Sequence, residues 1–288
     1  MNGKLYVVAT PIGNLSDLSP RAIEVLNEVD LIASEDTRNT GILLNHFDIH
    51  KPQVANHKFN ERQAVDRLVG DLLSGKSIAV VSDAGTPCIN DPGFVLVEAA
   101  SKAGIEVYGI PGCSAVTTAV SISGLPSDSF TFMGFFPREG KDVSGLFDYI
   151  KGNRTELYIF YESPKRIIDT MKKIAEDFPN AKIALCNDLT KIHEHVYRGT
   201  SKEVLDEIIR NPKTEKGEYC FCMYVEKTAE KEKEASLSLE AMLTETCIKQ
   251  GCSLKEAISV LSSDKSVSAS KKEIYNASLN LKNLFNRQ

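Results

Sequence analysis

No stretch of this chain approaches the roughly 20 consecutive apolar residues that a membrane-crossing helix needs, so no membrane partner is expected. There is no G-x-x-x-x-G-K-[ST] loop, and no G-x-G-x-x-G follows the first apolar run; ATP and NAD lose their usual warrants. The seven cysteines (Cys88, Cys113, Cys186, Cys220, Cys222, Cys247, Cys252) are odd in number, scattered and without a C-x-x-C pair, which argues against a disulfide framework and a zinc knuckle alike. Positive charge is short as well. With 34 Lys plus Arg against 39 Asp plus Glu the net charge is −5, so bulk electrostatics does not hold nucleic acid and any RNA or DNA contact must be local. The N-terminal residues have no signal-peptide layout, and a cytoplasmic location is expected.

What is present is an ordinary globular composition, 42% hydrophobic and 25% charged over 288 residues, enough chain for two domains and an appendage. The apolar β-type runs at 5–8, 78–81 and 107–110 each end in a small, flexible loop. These are Ala9-Thr10-Pro11-Ile12-Gly13-Asn14-Leu15, Ser82-Asp83-Ala84-Gly85-Thr86-Pro87 and Pro111-Gly112-Cys113-Ser114-Ala115. In an open α/β sheet the carboxyl ends of the strands line a crevice, so such loops make a place where a compact ligand touches backbone. Ser19-Pro20 reads as an N-cap with proline at the first helical position, and a helix follows to about Val29. Helical stripes over 61–74, 94–103 and 115–123 are closed by Gly75, Gly104 and Gly124. Alternation of this kind specifies a largely parallel sheet covered on both faces.

Residues 126–128 read as a hinge, because the pattern restarts with the dense aromatic run Phe130-Thr131-Phe132-Met133-Gly134-Phe135-Phe136-Pro137. Strands are expected at 157–161, 181–185, 196–198 and 219–225, and helices at 166–178 and 202–209. The mostly charged residues 226–234 read as a linker. Beyond it one helix runs through Leu239, Met242 and Leu243, and Ser253 and Ser270 head two more. The expected organisation is therefore α/β, with domains at 1–126 and 127–228 facing one another across a cleft, then a small helical domain at 235–288. From 229 to 288, nine Lys plus Arg stand against eight Asp plus Glu, so packing or dimer contact weighs as much there as nucleic-acid contact.

Several polar clusters occupy strand ends. Ser34-Glu35-Asp36-Thr37-Arg38 follows the run 31–33. Asp83 and Asp91 lie in neighbouring turn-forming clusters, where an aspartate bonds its own backbone or takes hydrogen bonds from a ligand. In Glu162-Ser163-Pro164-Lys165-Arg166, two cations near a helix start are unfavourable and call for a counter-ion, such as a phosphate. His193 and His195 lack a third ligand at recognisable spacing and read as solvated loop residues, so no metal is expected. Cys220 and Cys222 alternate along a strand and read as small apolar packers on one face.

Taken in order, residues 10–17, 35–38, 82–93, 111–115, 162–166, 189–194 and 216–218 resemble the ribosomal small-subunit RNA methyltransferase I group. That group is a branch of the tetrapyrrole methylase (class III) S-adenosylmethionine-dependent methyltransferases. The resemblance spans residues 5 to about 225, and residues from 237 onward are similar to the group's small C-terminal helical domain. It implies two α/β domains with S-adenosylmethionine in the cleft between them, methyl transfer to the ribose 2′-hydroxyl of a cytidine in the decoding region of small-subunit ribosomal RNA, and a homodimer. Carried onto this sequence, the cofactor contacts fall on Pro11, Asp83, Gly85, Thr86, Ser114, Ala115, Phe160 and Tyr161. Pro-Ile-Gly-Asn and Ser-Asp-Ala, where the wider superfamily tends to a Gly-rich first loop and a Gly-Asp-Pro turn, favour the RNA branch over the porphyrin branch.

A sulfonium methyl is already activated, so displacement mainly requires acceptor oxygen, methyl carbon and sulfur to be held in line. A ribose hydroxyl must lose its proton during attack, and Glu35 and Asp36 are the candidate bases. Arg38, Lys165 and Arg166 are candidates to hold phosphates, and each reads equally well as half of a structural ion pair. The acidic net charge suggests an assembled ribosomal subunit as substrate. Two rivals stand beside this reading: a porphyrinoid methylase of the same superfamily, and a non-enzymatic RNA-binding protein that kept the fold.

Overall fold

The computed structural model describes residues 2–58, 61–153, 155–226, 238–264, 267 and 269–285; most of the charged run expected as a linker lies outside them. Two compact units are present, Met1–Glu226, which contains two five-stranded sheets, and Lys227–Gln288. Among the described residues no helix is long and apolar enough to cross a membrane.

The first sheet comprises β1 (Leu5–Val8), β2 (Leu31–Ser34), β3 (Gln53–Ala55), β4 (Ile78–Val81) and β5 (Val107–Ile110), in the order β3-β2-β4-β1-β5 and wholly parallel. Helices α1 (Pro20–Glu28) and α2 (Thr37–His46) cover one face, and α3 (Glu61–Leu73) and α4 (Phe94–Lys102) the other. The central strand β4 shows why parallel strands read as unbroken apolar runs: Ala79 and Val81 pack with α1 and α2, and Ile78 and Val80 with α3 and α4. As expected, Ser19 caps α1, its hydroxyl accepting from the Ala22 amide at 3.1 Å. Helix α2 escapes sequence reading because Thr37, Asn39, Thr40, Gly41 and Asn45 are poor helix formers. Burial of Leu43 and Leu44 and the Asp36 cap hold it instead.

After α5 (Ala115–Ser123) the second sheet is built from β6 (Phe130–Phe135), β7 (Leu157–Glu162), β8 (Lys182–Asn187), β9 (His195–Thr200) and β10 (Tyr219–Tyr224), in the order β6-β7-β10-β8-β9. Only β6 and β7 run parallel; β10 is antiparallel to β7 and β8, and β8 to β9. One face meets α6 (Gly140–Gly152), α7 (Ile167–Asp177) and α8 (Ser201–Arg210) over a core rich in Phe136, Phe147, Phe160 and Phe221. The other face is covered by α5, which follows the first sheet in sequence yet packs on the second. Its Val116 and Ala119 sit against Cys186, Cys220 and Cys222, so the cysteines are the small apolar packers their alternation suggested.

In the second unit, α9 (Leu239–Gln250), α10 (Leu254–Ser263) and α11 (Lys271–Phe285) close around Leu243, Ala257, Leu261, Ile274 and Ala277. Ser253 and Glu256 form a reciprocal capping box at the start of α10.

Candidate functional site

Loops from both sheets of the first unit meet around a cavity of about 430 Å³, a size suited to a small organic ligand. The first sheet contributes Ile12, Glu35, residues 83–86 and 89–91, and Ser114 and Ala115 at the start of α5. The second contributes Phe135, residues 161–164, Leu189 and residues 218–220.

The loops after β1, β4 and β5 are tied together. The Thr10 amide donates to the Gly85 carbonyl at 2.9 Å, the Gly85 amide donates back to Thr10 at 3.1 Å, and the Thr86 hydroxyl donates to the Cys113 carbonyl at 3.0 Å. Gly85 is left-handed at φ +84°, and a Cβ there would stand 3.3 Å from Ile12 Cγ2. Cys88 and Asn90 in the same stretch, and Asp188 and Thr190 across the cavity, also have positive φ. For Thr190, β-branched at φ +66°, that is a strained conformation. The two sets of loops interlock at Gly13, where a Cβ would fall 2.7 Å from Lys191 Cγ and 2.9 Å from Thr190 Oγ1.

Carboxylates dominate the electrostatics. Burial raises Glu35 above the usual glutamate range, and the neighbouring Asp83 and Asp36 add to the rise, although its Oε2 accepts from the Asp83 amide at 3.3 Å. Asp91 is pushed up to about 6, first by burial and then by Glu35 and Asp83. Asp36 goes the other way, to about 2, because its carboxylate accepts from the Arg38 guanidinium. Asp83 pins the β2–α2 junction to its own loop: Oδ1 accepts from the Asp36 amide at 3.1 Å and Oδ2 from Asn39 Nδ2 at 2.8 Å.

Of the residues singled out from sequence, Glu35, Asp83, Gly85, Thr86, Ser114, Ala115 and Tyr161 line the cavity. Pro11 is buried behind the wall, and its neighbour Ile12 reaches the cavity instead. Phe160 needs correcting. Adjacent strand residues face opposite ways, and while Tyr161 faces the cavity, Phe160 is fully buried on the other side with its ring stacked on Phe221 at 5.0 Å. Of the two roles weighed for Arg166, the structure displays the ion pair. Its guanidinium pairs with Glu162 at 3.2 Å and donates to the Phe136 and Pro137 carbonyls at 2.9 and 3.0 Å. Lys165 is exposed, and Arg38 is exposed while paired with Asp36. Asp91 was visible in the sequence only as one of two turn aspartates, and Phe135 only as part of an aromatic run; the structure brings both to the cavity.

Residues 4–205 match the family model of Tetrapyrrole (Corrin/Porphyrin) Methylases. The ribosomal RNA small subunit methyltransferase I of Halalkalibacterium halodurans is 44% identical over 278 residues, 95% of this chain and 94% of that protein. Among solved structures, the methyltransferase CobJ superposes with a TM-score of 0.57 at 15% identity, over 77% of this chain and 94% of that one. A Thermus thermophilus uroporphyrin-III C-methyltransferase complexed with S-adenyl homocysteine does so with a TM-score of 0.50 at 14% identity, over 77% and 97%. The structural likenesses show a shared fold. The sequence identity, spread over nearly the whole length of both proteins, goes further: this chain belongs to the ribosomal RNA small subunit methyltransferase I family of the tetrapyrrole methylases.

Proposed function

We propose that this chain transfers a methyl group from S-adenosylmethionine to the ribose 2′-hydroxyl of a cytidine in the decoding region of small-subunit ribosomal RNA. The observation that carries the donor is the charge of the cavity. Glu35, Asp83 and Asp91 belong to its wall, as do Glu162 and Glu218, which Arg166 and Lys191 already pair at 3.2 and 2.8 Å, and no Lys, Arg or His lines it among the described residues. Such a wall suits a cationic ligand and repels a polyphosphate. Ile12, Leu189 and Cys220 add apolar surface for a purine, and Gly85, Ser114 and Ala115 leave backbone within reach. Family membership supports the RNA acceptor. In this reading the lobes at 1–126 and 127–228 share one ligand and residues 235–288 form a separate domain.

When bound, S-adenosylmethionine supplies a methyl group already activated on a sulfonium. The chain's own work is to hold the acceptor oxygen in line and to take its proton. Glu35 is the proton acceptor, because it lines the cavity and burial keeps its basicity high. Asp36, paired with Arg38 and held near 2, is too weak a base and serves to cap α2. Lys165 and Arg38 meet RNA phosphates, positioning the strand without reading its sequence. The enzyme acts in the cytoplasm as a homodimer on the assembled subunit, whose shape compensates for the protein's net charge of −5.

Incubation with methyl-labelled donor and small ribosomal subunits, naked ribosomal RNA or a porphyrinogen tests the reading. Label on one cytidine ribose of the subunit is expected; label on the porphyrinogen alone, or on none, overturns it. Asp83→Ala is expected to weaken S-adenosylhomocysteine binding in calorimetry by about ten-fold or more, since it removes a charged acceptor that also fixes the loop.

A further inference from the structure

Two rings of the aromatic run from Phe130 to Pro137 stand in the open, Phe130 and Phe135, and of these Phe135 lines the cavity. Phe132 lies opposite Ile159 on β7 and Phe135 opposite Tyr161, so three steps along β6 match two along β7. This is a bulge. Regular alternation would put Phe135 on the same side as Met133, which packs into the core beneath α6, α7 and α8. The extra residue turns it to the opposite face, beside Phe132 and Tyr161, and sends Phe136 into that core in its place.

Phe135 consequently lines the cavity with 57% of its surface exposed. Its ring meets Tyr161 edge-on at 5.6 Å, and Tyr161 meets Phe132 edge-on at 4.9 Å, so a half-buried aromatic chain fixes one side of an exposed ring. Gly134 makes the bulge possible at φ +71°, and a Cβ there would stand 3.0 Å from Asn90 Oδ1, so the bulge is seated against the loop after β4.

From this geometry we infer that Phe135 is the stacking platform for the base of the nucleotide being methylated. The inference rests on the RNA reading above and adds a binding residue to it. A ribose inside a helix cannot bring its 2′-hydroxyl into a recessed cavity, so the target nucleotide must leave its stack, and its base then needs a new π-face. Phe135 offers one at the cavity wall, with its ring pre-positioned and one face's worth of surface to bury.

The test compares Phe135→Leu, Phe135→Tyr and wild type for methylation of small ribosomal subunits, for S-adenosylhomocysteine affinity by calorimetry, and for melting temperature. Stacking is worth enough per base that the leucine variant is expected to lose roughly ten-fold in kcat/KM, mostly as a higher KM. The tyrosine variant should stay near wild type, and affinity and melting should be unchanged in both. Full activity of the leucine variant overturns the inference. So does a parallel loss of S-adenosylhomocysteine affinity, which would assign the ring to the donor. If wild type binds S-adenosylhomocysteine but labels no RNA, the RNA reading itself fails and takes this inference with it.

Discussion

Glu35→Gln is expected to lower the methylation rate by about 10²- to 10⁴-fold, the usual contribution of a positioned base, while S-adenosylhomocysteine affinity stays near wild type. The amide keeps the size and the hydrogen bond from the Asp83 backbone but has no affinity for a proton. The wild-type profile should show the same group. Glu35 must be ionised to act, and its raised pKa means that rate falls with acidification at a pH above the ordinary glutamate value of about 4.3. Asp91, titrating at about 6 and raised in part by Glu35, makes that acidic limb broader than a single ionisation would. In Glu35→Gln the residual rate should lose the limb. A variant that keeps wild-type rate and profile would remove Glu35 from the chemistry.

The second large effect is on stability. Arg166→Ala is expected to cost about 3 kcal/mol, because it leaves the fully buried Glu162 carboxylate without its cation. That corresponds to a melting temperature lower by roughly 6–12 °C. Glu162 keeps only the hydrogen bonds that the Thr170 hydroxyl and the Ser163 amide donate to it, at 2.6 and 2.7 Å. The carbonyls of Phe136 and Pro137 lose their donor at the same time. Thermal melting separates this role from RNA contact: an arginine that held a phosphate would leave melting unchanged and weaken methylation alone.

Much of this architecture is legible without coordinates, and the reasons are local. The Ser19-Pro20 start of α1 and the unbroken apolar run of β4 are written in adjacent residues, as are the loops after β1, β4 and β5. What escapes reading depends on residues far apart. Helix α6 carries Gly140, Gly145 and Gly152 and is held by Phe147 and Ile150 packing on a distant sheet. Phe160 and Tyr161 sit in a strand apolar on both faces, so nothing in the run Leu157-Tyr158-Ile159-Phe160-Tyr161 says which face meets the cavity. Phe135 depends on a one-residue irregularity against β7, and the partner of Arg166 lies four positions back across a turn rather than within a helix. Asp91 acquires its character first from burial in the assembled cavity and then from Glu35 and Asp83, carboxylates at two other loop positions.

Helix α5 leaves a mark on how the molecule can be dissected. Because Val116 and Ala119 roof the layer holding Leu157, Ile159 and Cys220, a fragment starting after residue 126 would present that layer to water as a broad greasy plate. The complementary fragment would carry a helix with nothing beneath it. The halves are thus sewn together by nine residues, and recombination between relatives should respect that seam by moving α5 with the later sheet rather than with the strand that precedes it.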